Sequence, residues 1–307
     1  MNNEFLSLLI YLPLGFCIGI LSGCFGIGGA FILTPTLSAL GIPITYAVGT
    51  GLAFTTGVSS LASYKHFFEK NISIRATLYI GLICLLGIRI SQQLVILLEN
   101  LHKADLFINA TYIIMLLSVG ILMYRKNTTN PSAVAPPLEG SKLDLRKMPP
   151  LVKIDKEQSV SIWMLIFIGL FVGFLQGFMG VGGGFILVPL LIWLLDMNPR
   201  LAIGTSLFTL LLTSIYATVL YFFSGKVLLP IAFILVFGSF LGVNLGIRIM
   251  KNSTEGQLTK QLSLFILLST IGIALRMLSM VTFALVYTLS LIAFTTLWLI
   301  VTHRSKM

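Results

Sequence analysis

The chain has 307 residues, of which 57% are hydrophobic and only 10% charged, with a mean hydropathy of +1.00. A soluble globular domain carries about a quarter charged residues, so this composition excludes one and requires an integral membrane protein. The formal net charge of +10, which in a soluble protein would raise nucleic-acid binding, is spread over a linker, the turns between apolar stretches and the C-terminal tail, and no nucleic-acid partner is expected.

Apolar stretches long enough to cross a bilayer run from Phe5 to Gly23, Ala47 to Tyr64, Ile72 to Leu98, Leu106 to Tyr124, Ser161 to Gly180, Leu201 to Phe223, Val227 to Met250, Leu262 to Leu278 and Val281 to Val301. Two shorter apolar pieces, Ala30 to Leu40 and Gly184 to Leu195, have 11 and 12 residues. Regular helix needs roughly 17 to cross, so these are expected to be half-helices, re-entrant segments, or crossings completed by extended chain. The opening stretch lacks a basic start and is read as mature structure rather than a signal peptide. Cys17, Cys24 and Cys84 all lie in apolar segments without a CxxC pair, and their odd number argues against a disulfide framework. Arg125 to Val160 carries seven basic residues against four acidic ones and is interrupted by Pro131, Pro136, Pro137, Pro149 and Pro150. Such a segment is expected to be an irregular, solvated loop, cytoplasmic by its basic excess.

The chain repeats itself. Gly15 to Leu37 reads GFCIGILSGCFGIGGAFILTPTL, and Gly169 to Leu191, 154 positions later, reads GLFVGFLQGFMGVGGGFILVPLL, with twelve of 23 positions identical. Ala47-Val48-Gly49-Thr50 matches Ala202-Ile203-Gly204-Thr205 at an offset of 155, and Leu86-Gly87-Ile88-Arg89-Ile90 recurs as Leu245-Gly246-Ile247-Arg248-Ile249 at 159. The four extra residues amount to about one helical turn, which keeps the motif on its face. The resulting division is a first transmembrane repeat over 1–124, a linker over 125–160, a second repeat over 161–280, and an extra helix with a basic tail over 281–307.

The expected fold is therefore all-α: two homologous repeats of about five helical segments each, with short broken helices after Gly-rich loops, plus one extra C-terminal helix. If the short pieces cross, five crossings per half invert the second repeat and place the basic turns, the linker and the basic tail inside. If they are re-entrant, the repeats are parallel and the basic C-terminus lies outside. The distribution of Lys and Arg prefers the first arrangement. The cell (inner) membrane is the expected location, with the chain crossing it many times.

The pair SGCFGIGGAFILTPTL and QGFMGVGGGFILVPLL resembles the signature of the TauE/SafE family of membrane transporters, to which sulfite and organosulfonate exporters belong, and the resemblance covers both halves. It implies a transported small sulfur-containing anion. One departure is Ala30, where the second copy has Gly184. Independently of that likeness, Gly26, Gly28 and Gly29, like Gly180, Gly182, Gly183 and Gly184, remove side chains where the backbone must leave helical geometry or approach a ligand. Short helices beginning near Ala30 and Gly184 would aim unpaired N–H groups and positive dipole ends into the loops, a means of holding an oxyanion without a buried cation. The competing reading is tight helix packing. Gly19/Gly23 and Gly242/Gly246 fit it, and an added methyl at Gly246 is expected to be mild.

Hydroxyls supply most of the polar lining. Gly49, Ala53, Thr56, Ser60 and Ser63 fall on one helical face, with Thr205, Thr209, Thr213 and Tyr216 in the other copy, and Thr50 and Thr205 form the matched pair expected at the substrate. All ten carboxylates sit in or beside loops and helix ends, which favours an anionic or neutral substrate over a cation. Arg89 and Arg248 are the ionisable residues closest to apolar surroundings; snorkelling to the headgroups is the first reading of Arg89, and attraction of an anion, which would make it a substrate-binding residue, is the competing one. His66, His102 and His303 are scattered, leaving no metal cluster, no HExxH and no base beside a nucleophile, and there is no P-loop. No cofactor, no metal and no enzymatic activity are expected; an intramembrane protease would need a Ser/His or Asp/Asp pair within the spans. The functional expectation is a secondary exporter of a small anion such as sulfite or a sulfonate, bound between the two loops. The alternative from another class is a non-transporting membrane scaffold or assembly factor, whose glycine loops would tolerate bulk.

Overall fold

The computed structural model describes residues 11–129, 149–153, 159–253, 255–278 and 280–304. Among these, eleven helices follow in order: α1 Tyr11–Phe25, α2 Ala30–Ala39, α3 Ile44–Phe68, α4 Ile74–Asn100, α5 Ala104–Thr129, α6 Ile162–Met179, α7 Gly184–Leu194, α8 Pro199–Phe223, α9 Leu229–Asn252, α10 Glu255–Met277 and α11 Val281–Arg304. The first six residues of the expected opening span and most of the expected linker lie outside the described residues. What is described of the linker is more regular than its prolines suggest: α5 runs on to Thr129, and two short strands, β1 Leu151–Lys153 and β2 Ser159–Ser161, pair antiparallel with Val152 opposite Val160.

Among the described residues seven helices are long and apolar enough to cross a membrane: α4, α5, α6, α8, α9, α10 and α11. The fold is that of an all-α, multi-pass membrane protein. Large apolar side chains such as Phe223, Phe233 and Phe237 are exposed on the perimeter, as a lipid-facing surface requires. With 25 residues α3 has spanning length, but its buried positions carry Thr45, Thr50, Thr55, Ser59, Ser63 and His66. A helix hydroxylated on its inner face is shielded by neighbours instead of lipid.

Helix boundaries follow local chemistry. Pro199 occupies the first turn of α8, and the Asn198 side chain accepts the Arg200 N–H at 3.0 Å. Both short helices start directly after a glycine and tolerate a proline in their interiors, Pro35 and Pro189.

The two halves are interleaved. The most extensive contacts join α1 to α9 and α4 to α6, so the first helix of each repeat packs on the fourth helix of the other. Glycines make this possible. A β-carbon at Gly15, Gly19 or Gly23 would lie 2.2–2.7 Å from the carbonyl oxygens of Leu235, Ser239 and Val243, and one at Gly238, Gly242 or Gly246 would meet those of Leu12, Phe16 and Ile20 at 2.1–2.2 Å. The constant step shows that α1 and α9 run parallel with backbones in contact. The same holds for α4 and α6, where Gly169, Gly173 and Gly177 meet the backbones of Ile80, Cys84 and Ile88.

At the centre α3 packs on its repeat equivalent, α8. Gly49 near the start of α3 lies against Tyr221 and Lys226, Thr56 and Thr218 share a hydrogen bond of 3.1 Å midway, and Gly204 near the start of α8 lies against Asn71. The repeat-equivalent helices α3 and α8 therefore run antiparallel. Finally α5 packs on its equivalent α10, while α11 lies outside the repeat against α10, α2 and α1.

Candidate functional site

The glycine loops are the point where the two halves meet. In the first, Gly26, Gly28 and Gly29 have φ of 71°, 71° and 77°; in the second, Gly180, Gly182 and Gly183 have 70°, 70° and 72°. Left-handed backbone at three of four positions is a conformation for glycine, and its repetition shows that both loops fold alike. Gly29 and Gly183 are the N-caps of α2 and α7, and neither helix start has a side-chain cap. The first N–H groups of an α-helix lack intrahelical acceptors, so two such helix starts are brought to one buried place.

The loops are held face to face. A β-carbon on Gly184 would come within 2.6 Å of the Gly26 oxygen and 2.7 Å of the Ile27 Cα, which explains why the second copy has glycine at this position. Phe31 and Phe185, at equivalent positions one residue into each short helix, stack with ring centroids 5.5 Å apart. Side chains from the opposite half bind the loop carbonyls: Thr34 Oγ1 donates to the Gly180 oxygen at 3.4 Å and Ser206 Oγ to the Gly26 oxygen at 3.2 Å. Tyr112 and Tyr221 hydroxyls donate to the carbonyls of Met179 and Gly177.

Thr55 and Leu210, also repeat equivalents, fill the space between. A β-carbon on Gly28 would sit 3.0 Å from both side chains, and one on Gly182 would sit 2.9 Å from the Thr55 methyl. Thr55 Oγ1 donates to the Gly28 oxygen at 3.3 Å. This conformation is closed.

The other residues expected at the site are engaged with other partners. Thr50 and Thr205 are buried and play matched roles: Thr50 Oγ1 accepts the N–H of Leu228, the N-cap of α9, and Thr205 Oγ1 accepts that of Ser73, the N-cap of α4, both at 3.0 Å. From Thr205 to the end of α8 at Phe223, beside which Thr50 lies, is roughly 27 Å at 1.5 Å per residue. One small ion does not touch both. Arg89 is exposed on α4, where its Nη1 donates to Gln92 Oε1 at 3.1 Å; Gln92 in turn donates to Ser224. Arg248 is exposed as well. The more enclosed arginine is Arg276, whose side chain is 14% exposed and binds Asn109 and Asp105 across the α5–α10 contact.

Several polar residues were not legible as site residues. Thr55 is one position from the face the hydroxyl pattern suggests. His66, expected among loops, lies inside α3 with no exposure. Gln176 and its repeat equivalent Ser22 are fully buried, and neither side chain has a hydrogen-bond partner in the protein. The signal that would have found this pair is a polar residue four positions before the first loop glycine in both copies. Among the described residues no group of His, Cys, Asp and Glu is placed to hold a metal.

The sequence of loops and helices just described matches, over residues 11–273, the family model described as sulfite exporter TauE/SafE. The chain belongs to the TauE/SafE family. Relatives in this family include a probable membrane transporter protein of Methanocaldococcus jannaschii, 30% identical over 85% of this chain and 93% of its own length. Similar proteins, also described as probable membrane transporters, occur in Bacillus subtilis, 26% identical over 80% of this chain and 89% of theirs, and in Xylella fastidiosa, 28% identical over 78% and 84%. No solved structure matches the chain. The TauE/SafE match takes in both glycine loops and ends before α11, whose packing against α2 attaches it to the short helix that leaves the first loop.

Proposed function

We propose that this protein is a secondary transporter that exports a small anion, sulfite or a sulfonate, and that the anion binds between the two glycine loops. One observation carries the reading: two uncapped helix starts from opposite halves converge in the buried interior, their loops within van der Waals contact at Gly184 and Gly26. Such ends concentrate N–H donors and positive dipole on whatever separates them, which favours an oxyanion. Gly26, Gly28, Gly29, Gly180, Gly182, Gly183 and Gly184 form the cradle, and the Thr55 hydroxyl joins it once Thr55 and Leu210 move aside. Thr50 and Thr205 act by fixing the starts of α9 and α4, which carry the packing glycines. Arg89 acts by long-range attraction.

The halves are read as inverted repeats, a reading supported by the antiparallel run of α3 and α8, and rocking of one against the other would open the loops to each side in turn. The test is a thermal-shift screen of the purified protein with sulfite, sulfate, thiosulfate, sulfoacetate and small carboxylates, followed by uptake into liposomes. A bound anion raises the melting point by mass action. Stabilisation by none of these anions, or stabilisation that survives Gly182→Val unchanged, removes the anion from the loops.

A further inference from the structure

The face of α3 that leads away from the glycine loops is polar, buried and unpaired. Thr55, Ser59, Ser63 and His66 follow at steps of four, four and three residues, which places them on one side of the helix. Their exposures are 0%, 0%, 2% and 0%. Thr55 reaches the Gly28 carbonyl at the inner end, while Ser59 Oγ, Ser63 Oγ and both ring nitrogens of His66 have no hydrogen-bond partner in the protein. Four buried polar atoms in a row are costly to leave unmatched.

The second repeat provides an internal comparison. The equivalent positions on α8 are Leu210, Ser214, Thr218 and Tyr221. There Ser214 donates to the Leu211 carbonyl at 3.4 Å, Thr218 pairs with Thr56 at 3.1 Å, and Tyr221 donates to the Gly177 carbonyl at 2.7 Å. One copy of the face is satisfied by packing and the other is not, so the unpaired state does not follow from the fold.

We propose that the Thr55–His66 face of α3 is a hydratable path between the glycine loops and the end of α3, and that His66, when protonated, draws an anion along it. This rests on the transporter reading above. Water or an oxyanion supplies the partners the protein withholds, and imidazolium offers two donors and a positive charge where neutral imidazole offers one donor. The charged groups at this end are Lys65, Glu69 and Lys70 on α3 and its turn, Arg75 at the start of α4, Arg200 at the start of α8, and Arg248 and Lys251 at the end of α9. Glu69, the acid nearest in sequence to His66, is tied to Lys251 at 2.6 Å, and Arg200 Nη2 donates to the Lys251 carbonyl. The balance of this mouth is basic, which suits entry of an anion.

The test uses the full chain in liposomes with Cys17, Cys24 and Cys84 replaced by Ala, carrying Ser59→Cys or Ser63→Cys. Reaction rates are compared for the anionic sulfonatoethyl and the cationic trimethylammonioethyl methanethiosulfonates, so that thiol ionisation cancels in their ratio. Both variants should react although the face is buried, and Ser214→Cys should not. Burial lowers the His66 pKa to about 4, so the anionic-to-cationic ratio should rise several-fold between about pH 7 and about pH 4, and His66→Gln should flatten it. If Ser59→Cys and Ser63→Cys are as inert as Ser214→Cys in monodisperse protein, or if the pH dependence survives His66→Gln, the proposal is overturned. Labelling needs no transported substrate. A face that labels and follows His66 while no anion binds or moves would refute the transport reading and keep the path; a transported anion with an inert face would do the reverse.

Discussion

Gly28 and Gly246 look alike in the sequence, each a glycine in an apolar run, and the structure separates them by what an added side chain would meet. At Gly28 the obstacle is backbone conformation, φ 71°, together with the ends of two side chains, Leu210 and Thr55, that can shift. Gly28→Val and Gly182→Val should each abolish transport while the protein remains in the membrane, measured as uptake normalised to membrane-inserted protein. At Gly246 the φ is helical, but a β-carbon would lie 2.2 Å from the Ile20 carbonyl oxygen and 2.8 Å from the Cys24 nitrogen. Backbone does not yield as a side chain does. The expectation that Gly246→Ala is mild is therefore corrected: it should destabilise by about 1–3 kcal/mol, the usual range for overpacking, and lower the melting point in detergent.

At the scale of the element, most of the architecture was legible. Hydropathy located the long helices, and the glycine–proline repeat located both short ones to within a residue at each end, because positive-φ glycines and a helix start leave an unambiguous local pattern. What periodicity could not give was which side of α3 faces inward. Thr56 and Ser60 carry hydroxyls like Thr55 and Ser59, and a helix with polar residues at adjacent positions has two candidate faces about 100° apart. Packing decides between them: Thr55 lies against Gly28 and Gly182 of the loops, while Thr56 pairs with Thr218 on α8. The roles of Thr50 and Thr205 were hidden for a similar reason: a matched hydroxyl pair reads equally as substrate contact or as acceptor for a neighbouring backbone N–H. In the second role their loss is structural. Thr50→Val and Thr205→Val should each cost about 1–3 kcal/mol by stranding the N–H of Leu228 or Ser73. Because the sites lie at opposite ends of α8, the double variant should show the sum in thermal unfolding.

For the whole molecule, the parallel pairs α1–α9 and α4–α6 and the antiparallel pair α3–α8 set the expected sidedness. Counting each short helix as a crossing puts the N- and C-termini on opposite sides of the membrane, and the basic excess of the linker gives the expectation that it is cytoplasmic. Single cysteines replacing Asn3 and Ser305 should differ in reaction with a membrane-impermeant maleimide added to intact cells, Asn3→Cys labelling and Ser305→Cys staying protected. Equal labelling would rule out the inverted arrangement.

The interleaving of the halves also bears on how the protein is made. Gly15, Gly19 and Gly23 find their counterparts at Leu235, Ser239 and Val243, so the strip of bare backbone on α1 has no mate until some 220 further residues have been synthesised. At cellular elongation rates of about 5–20 residues per second, that interval is on the order of ten to forty seconds. Through it the first repeat is a membrane-inserted orphan with an open seam, exposed to proteases and to stray helices of other nascent chains. A chain truncated after α5 should be degraded rapidly in the cell and rescued by co-expression of the remainder, with the half-life of each fragment followed after a pulse of synthesis.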